Sequence, residues 1–187
     1  ISRYEVTVAE YRNFCNATGK DMPKEPDWGW QDDMPVVNVS WQDAKAYAEW
    51  DGKRLPTNAE WHYAALGGQQ SNNYTYSGSN TLNEVGWFWQ NADKITHPVG
   101  SKQPNELGIY DMTGNVWEWC SDWYDENYLM EGPVANPLGP EEGTKKILRG
   151  GSWYSYRDYC ALKYLSNGEK DYKYVHIGFR LAWDADK

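Results

Sequence analysis

Arg149-Gly150-Gly151-Ser152-Trp153 opens, and Ile177-Gly178-Phe179-Arg180 closes, a segment whose ends are built from glycines, large aromatics and arginines. Its interior has a different character. It runs Tyr154-Ser155-Tyr156-Arg157-Asp158-Tyr159-Cys160, continues through Leu162, Lys163, Leu165, Ser166 and Asn167, and ends with Tyr172, Tyr174 and His176. Residues 154–176 hold six of the fifteen tyrosines in 23 of the 187 positions, well above their share by length. Tyr, Ser, Asn and Asp suit binding surfaces because they combine rigid amphipathic contact area with adaptable hydrogen bonding. A fixed frame around such an interior reads first as a binding face and only second as an active site.

Outward from this segment, the composition is that of one globular domain over residues 1–187, with residues 149–180 as its ligand-binding part. Hydrophobic residues make up 40% and charged residues 24%, enough apolar content for a sizeable core. Twelve tryptophans, with 17 glycines and nine prolines scattered among them, indicate irregular backbone pinned by large side chains. The net charge of -9 argues against a nucleic-acid partner, since phosphate binding needs clustered Lys and Arg. It is compatible with bound Ca²⁺ or a basic ligand. No run of eighteen apolar residues is present, so no membrane span is expected. Cys15, Cys120 and Cys160 form no CxxC motif, which argues against zinc; one disulfide or free thiols are both compatible with three cysteines. The chain opens on Ile1-Ser2-Arg3-Tyr4-Glu5-Val6-Thr7, already strand-like, so the native N-terminus is expected to precede this numbering.

Local signals predict an α+β domain with short elements. Thr7 and Glu10 have capping-box spacing before a helix over 8–17 that Gly19 ends. Ser40 or Asp43 starts a helix from Trp41 to Trp50. Thr57 and Glu60 start a third, running to about Leu66. Strands are predicted over 4–7, 35–40, 84–89, 146–149 and 178–183, and residues 133–142 read as a loop.

Six blocks now occur in order: Tyr4-Glu5-Val6-Thr7; Pro35-Val36-x-Asn38-Val39-Ser40-Trp41-x-Asp43-Ala44; Arg54-Leu55-Pro56-Thr57-x-Ala59-Glu60-Trp61; Gly108-x-Tyr110-Asp111-Met112-x-Gly114-Asn115-Val116-Trp117-Glu118-Trp119; Arg149 to Trp153; and Gly178-Phe179-Arg180. Together they resemble the formylglycine-generating-enzyme, or sulfatase-modifying-factor, domain family over nearly the whole chain. The resemblance implies a C-type-lectin-like fold with few helices, short strands and much irregular structure. Fold alone does not assign function, because this scaffold hosts several.

Residues separate three branches of the resemblance. The formylglycine-generating oxidases use two cysteines five positions apart after Arg-Gly-Gly-Ser, which bind copper and attack the substrate thiol. Here those positions are Ser155 and Cys160. A serine hydroxyl is a poor Cu(I) ligand, so no copper is expected and the chain is expected not to be an enzyme. The iron-dependent sulfoxide synthases need an HxxxHxE-type set, and His62, His97 and His176 do not form one. The third branch is the variable proteins of diversity-generating retroelements, which randomise adenine-containing codons near the C-terminus. Tyr154, Ser155, Tyr156, Asp158, Tyr159, Leu162, Leu165, Ser166, Asn167, Tyr172, Tyr174 and His176 are all reachable from AAY codons. These residues with Lys163 are the expected contacts to a protein or other macromolecular ligand, and this branch implies display at a cell or virion surface. The alternative is a formylglycine-generating-enzyme-like oxidase, or a non-catalytic relative, centred on Cys160.

The resemblance also implies a structural Ca²⁺ site, with carboxylates from Asp111 and Glu118 and backbone carbonyls from Gly114 and Val116. All are hard oxygen ligands suited to a cation of flexible coordination. Arg149 and Arg180 are expected to tie the two framing strands together through several hydrogen bonds each.

Overall fold

The computed structural model describes residues 1–126 and 137–184. Residues 133–136 of the predicted loop lie outside the described residues. Three helices carry the early part of the chain: α1, Val8–Thr18; α2, Trp41–Trp50; and α3, Asn58–Ala65. Each begins with a reciprocal capping box, Thr7 with Glu10, Ser40 with Asp43 and Thr57 with Glu60. Each cap satisfies otherwise orphaned backbone donors, an effect worth about 1 kcal/mol. Between Ser40 and Asp43, the structure selects Ser40 as the cap. Gly19 ends α1 in the left-handed region, at φ 74°.

A four-stranded sheet forms the other half, from β1 (Trp117–Trp123), β2 (Lys145–Arg149), β3 (Ser166–Glu169) and β4 (Ile177–Gly178) in the order β3-β2-β1-β4. β1 pairs antiparallel with β2 and parallel with β4. Glu118 is the register partner of Arg149 on one side and of Gly178 on the other. The two ends of the Tyr-rich segment therefore flank one central strand. That is why they need a specified sequence while the chain between them is free to loop out.

Several predicted strands are not strands. Residues 4–7 and 35–40 pair in one isolated bridge, Thr7 to Pro35, made by the Val36 N–H to the Val6 carbonyl and the Val8 N–H to the Met34 carbonyl, each at 2.9 Å. Asn38 at φ 60° turns the chain out of extended geometry there. The Val6 N–H itself turns away from residues 35–40 and donates to the Phe179 carbonyl at 2.9 Å. Residues 84–89 include the end of a one-turn helix, α4, Leu82–Val85, because apolar Leu82 and Val85 sit at helical spacing and both bury. Of residues 178–183, only Gly178 lies in a strand, β4, and Ala182 makes one isolated bridge with Arg54.

Among the described residues, three clusters of buried side chains form the core. The first includes Tyr11, Phe14, Tyr47, Trp119 and Phe179; the second includes Trp61, Met112, Cys120, Ile147 and Leu162. The third, with Tyr76, Leu82, Val85 and Phe88, takes in Cys160. Indole N–H groups pin the irregular backbone, as the tryptophan excess predicts: Trp119 donates to the Val39 carbonyl at 3.1 Å, Trp41 to the Cys120 carbonyl at 2.9 Å and Trp153 to the Val175 carbonyl at 3.0 Å. Cys15, Cys120 and Cys160 are buried free thiols. No helix among the described residues is long and apolar enough to cross a membrane.

Candidate functional site

The segment leaves β2 through Gly150 and Gly151, both at positive φ. At Gly151 no other residue fits: a Cβ would stand 2.7 Å from the Cys160 sulfur and 2.9 Å from its Cα. The chain then turns tightly. Ser155 N–H donates to the Ser152 carbonyl at 2.9 Å, and the Ser155 hydroxyl accepts from the Ser152 N–H at 3.1 Å. A short 3-10 helix, Arg157–Cys160, follows and drives Cys160 into the core.

This backbone throws alternate aromatics outward. Tyr154 is 56% exposed and Tyr156 58% exposed, so both meet solvent far more than a core tyrosine would. Asp158, Tyr159, Lys163, Tyr172 and Tyr174 are exposed as well. The rings form a connected run: Tyr156 against Trp89, Trp89 edge-on to Tyr154, Tyr154 stacked on His176, His176 stacked on Tyr174, and Tyr174 edge-on to Tyr172. Trp153 supports Tyr154 from below and is itself braced by Trp28. Such contacts add about 0.5–1.5 kcal/mol each beyond area burial and hold the rings in place. His176 is half-buried in this stack, and desolvation pushes its imidazole down to about 4. Tyr159 packs on Tyr164 instead, away from this run.

Two expected contact residues are buried and are corrected here. Ser155 lies inside the turn it stabilises and also accepts into its carbonyl the Trp89 N–H, at 3.0 Å. Leu162 belongs to the second core cluster, and its carbonyl accepts from Arg149 at 2.8 Å. Leu165 packs against the same cluster. Ser166 and Asn167 are half-buried in β3, paired with Leu148 and Ile147. Sequence reasoning missed Trp89 and Trp28, which reach the face from distant loops. The only signal was the tryptophan excess in polar stretches.

Ser155 and Cys160 come together around one backbone group. The Ser152 N–H that reaches the Ser155 hydroxyl also lowers the Cys160 thiol slightly, but burial dominates and pushes that thiol up to about 12. Cu(I) favours two soft thiolates. This pair supplies one protonated thiol and one hydroxyl, so its residues do not fit that metal.

Beneath the sheet lies a buried charge cluster. Arg180 grips Glu118 with two bonds of 2.7 Å, and Trp61 Nε1 donates to the same carboxylate at 2.6 Å. Arg180 also donates to the Ser2 and Tyr110 carbonyls. Arg149 donates to the Leu162 and Tyr164 carbonyls. Arg149 thus ties β2 to the loop after Cys160, and Arg180, just past β4, ties the chain end to Glu118 of β1 and to loops. Among the described residues no bond joins the two arginines' own segments to each other. Glu5 and Asp111 add two further buried carboxylates. Burial first, then neighbouring negative charge, pushes Glu5 well up, and burial pushes Asp111 up to about 6. Asp111 Oδ2 accepts from the Gly100 N–H at 2.6 Å, whereas its buried Oδ1 has no partner. Three buried carboxylates thus share one guanidinium, and one Asp111 oxygen is left without a partner, an unfavourable arrangement for a buried polar atom. Glu118 is the weakest member of the expected ligand set, because Arg180 and Trp61 already hold it. No group of three or more His, Cys, Asp or Glu side chains among the described residues is placed to hold a metal.

Residues 1–185 match the model of the sulfatase-modifying factor enzyme 1-like domain. The chain is 42% identical over 168 residues to the formylglycine-generating enzyme of Streptomyces coelicolor, covering 81% of this chain and 53% of that protein. It is 39% identical over 171 residues to the formylglycine-generating enzyme of Bos taurus, covering 81% of this chain and 44% of that one. The chain therefore spans about half the length of these curated relatives. Among solved structures, Treponema denticola variable protein 1 superposes with a TM-score of 0.79 at 30% identity, covering 95% of this chain and 81% of that chain. PvdO from Pseudomonas aeruginosa superposes with a TM-score of 0.81 at 27% identity, covering 96% of this chain and 78% of that chain. The expected fold stands. The expectation that the chain is not an enzyme is overturned, because the curated relatives are enzymes.

Proposed function

The chain belongs to the sulfatase-modifying factor enzyme 1-like domain family, and we propose that its exposed aromatic run serves as a recognition face for a protein or other macromolecular ligand. The observation that carries this reading is the connected run Tyr156, Trp89, Tyr154, His176, Tyr174 and Tyr172, rigidly backed by Trp153 and Trp28. Rigid exposed aromatics supply binding hot spots at low ordering cost. The likeness to a variable protein supports a diversified face in particular. Sequencing the locus and its surroundings tests that. The expected result is a reverse-transcriptase gene beside an adenine-rich near-copy of the 3′ end, with substitutions concentrated at residues 154–176. A locus without either sinks the diversification.

A second reading is favoured by one observation: Ser155 and Cys160 meet at the Ser152 N–H, at the positions where the resemblance places a cysteine pair. In this reading the chain generates formylglycine, as its curated relatives are named for doing, and the aromatic run cradles the substrate peptide. Incubating the protein with a cysteine-containing peptide and labelling the product with an aldehyde-reactive hydrazide tests it. Label that disappears with Cys160→Ala supports the reading; absence of label with the unaltered protein refutes it.

Structural Ca²⁺ completes the proposal. Asp111 would hold it, with the carbonyls of Gly114 and Val116 and the free lone pair of Glu118, and the ion would neutralise the buried acids without taking part in chemistry.

A further inference from the structure

A cavity of about 380 Å³ opens beside α3, lined in part by His62, Tyr74, Thr75 and Lys163 against an apolar wall that includes Leu66 and Leu162. Among the described residues no carboxylate lines it, although the chain carries a net charge of -9. Behind the cavity stands Arg149, buried and without a carboxylate partner among the described residues. Its Nη2 lies 2.6 Å from His62 Nδ1. A guanidinium can only donate, so His62 Nδ1 must be the acceptor. The imidazole proton then resides on Nε2 of a ring that itself lines the cavity. Desolvation and the adjacent Arg149 charge both push His62 down to about 4, so this neutral tautomer persists at ordinary pH. Tyr74, Thr75 and the exposed Lys163 also line the cavity, and each carries a side-chain donor.

We infer that this cavity is a binding site for a small oxyanion, a carboxylate or phosphate group, held by His62 Nε2–H, the Lys163 ammonium and the Tyr74 and Thr75 hydroxyls. Arg149 does not touch the anion in this arrangement. It acts through His62, fixing the tautomer and polarising the Nε2–H bond. A buried guanidinium that lacks its own counter-ion favours negative charge nearby. The apolar wall gives room for a short hydrocarbon portion. The site lies apart from the aromatic run, so it does not rest on the recognition-face reading.

The test titrates the full chain, labelled with ¹⁵N-histidine, with inorganic phosphate and separately with acetate. Sodium chloride holds the ionic strength constant, and the His62 Nε2 resonance is assigned by its loss in His62→Gln. Saturable movement with phosphate alone identifies a phosphate site, and with acetate alone a carboxylate site. Lys163→Met, an exposed change, is expected to weaken binding at least fivefold, whereas Lys24→Met elsewhere on the surface leaves it unchanged. The inference is overturned if neither anion gives a saturable shift, if chloride alone moves the resonance equally, or if Lys163→Met binds as the unaltered protein does.

Discussion

Tyr154 stacks on His176 with ring centroids 5.8 Å apart and planes 20° from parallel, and the other flank of His176 is covered by Tyr174 at 5.4 Å. A histidine pressed between two tyrosines is sheltered enough to stay neutral, yet the tyrosines themselves remain exposed. The stack therefore joins the two ends of the Tyr-rich segment into one surface and carries a signature in the pH dependence of stability.

That signature has a definite sign. The folded-state value of His176 lies near 4, below its ordinary value of 6.5. Its contribution to stability is present above about pH 6.5 and is lost as pH falls toward 4, because the unfolded chain takes up the proton first. The loss is on the order of 2–3 kcal/mol. His176→Phe keeps a ring in the stack and removes the proton. Urea melts at pH 7, 5.5 and 4 should show the unaltered protein falling relative to the variant. Parallel curves would contradict the assignment.

Truncations separate face from core. Tyr156→Ala removes an exposed ring with one ring contact and should cost about 1 kcal/mol, and Tyr174→Ala, with two, about 1–2 kcal/mol. Leu162→Ala should cost about 2–5 kcal/mol, because Leu162 fills the second cluster beside Trp61 and Ile147. Thermal denaturation of the three variants checks this, and a large loss for Tyr156→Ala would place that ring in the core.

The Glu118–Arg180 pair is fully buried. Arg180→Met strands the Glu118 carboxylate and should destabilise by about 3–5 kcal/mol. The double variant Arg180→Met/Glu118→Leu should recover part of that loss. If the double variant is no more stable than the single one, the cost is packing and not stranded charge.

Chelation addresses the acids beneath the sheet. With EDTA the melting temperature should fall by several degrees and return on adding excess Ca²⁺, since a ligand bound only by the folded state stabilises by mass action. Asp111→Asn should abolish the response to Ca²⁺. A melting temperature indifferent to chelator and to added Ca²⁺ would leave the Asp111 oxygen without a cation partner.

The parts of this protein legible in its residues are those set by short-range chemistry. Thr7, Ser40 and Thr57, each with an acid three positions on, specify three helix starts, because a cap is satisfied within one turn of chain. The rigid ends of the Tyr-rich segment were legible for the same reason: Gly151 tolerates no side chain beside Cys160. The outward tyrosines follow from a frame whose both ends pair with one strand. Extended stretches such as residues 4–7 were not legible as loops. Alternation marks a pleat, but a ladder needs a partner in register, and here that partner turns away at Asn38.

Residue identity alone established the family resemblance, the helix caps, and a serine where that resemblance implies a cysteine. Which side chains of the segment face solvent was decided by the tertiary structure. Ser155 and Leu162 looked like their neighbours in the sequence but turned inward, one to close a turn and one to fill the core. Trp89 and Trp28 joined the face from loops distant in sequence. Burial depends on what the rest of the chain brings into contact, and those contacts are long-range. The same physics placed Arg149 against His62, a pairing across the fold that no local pattern in either stretch announces.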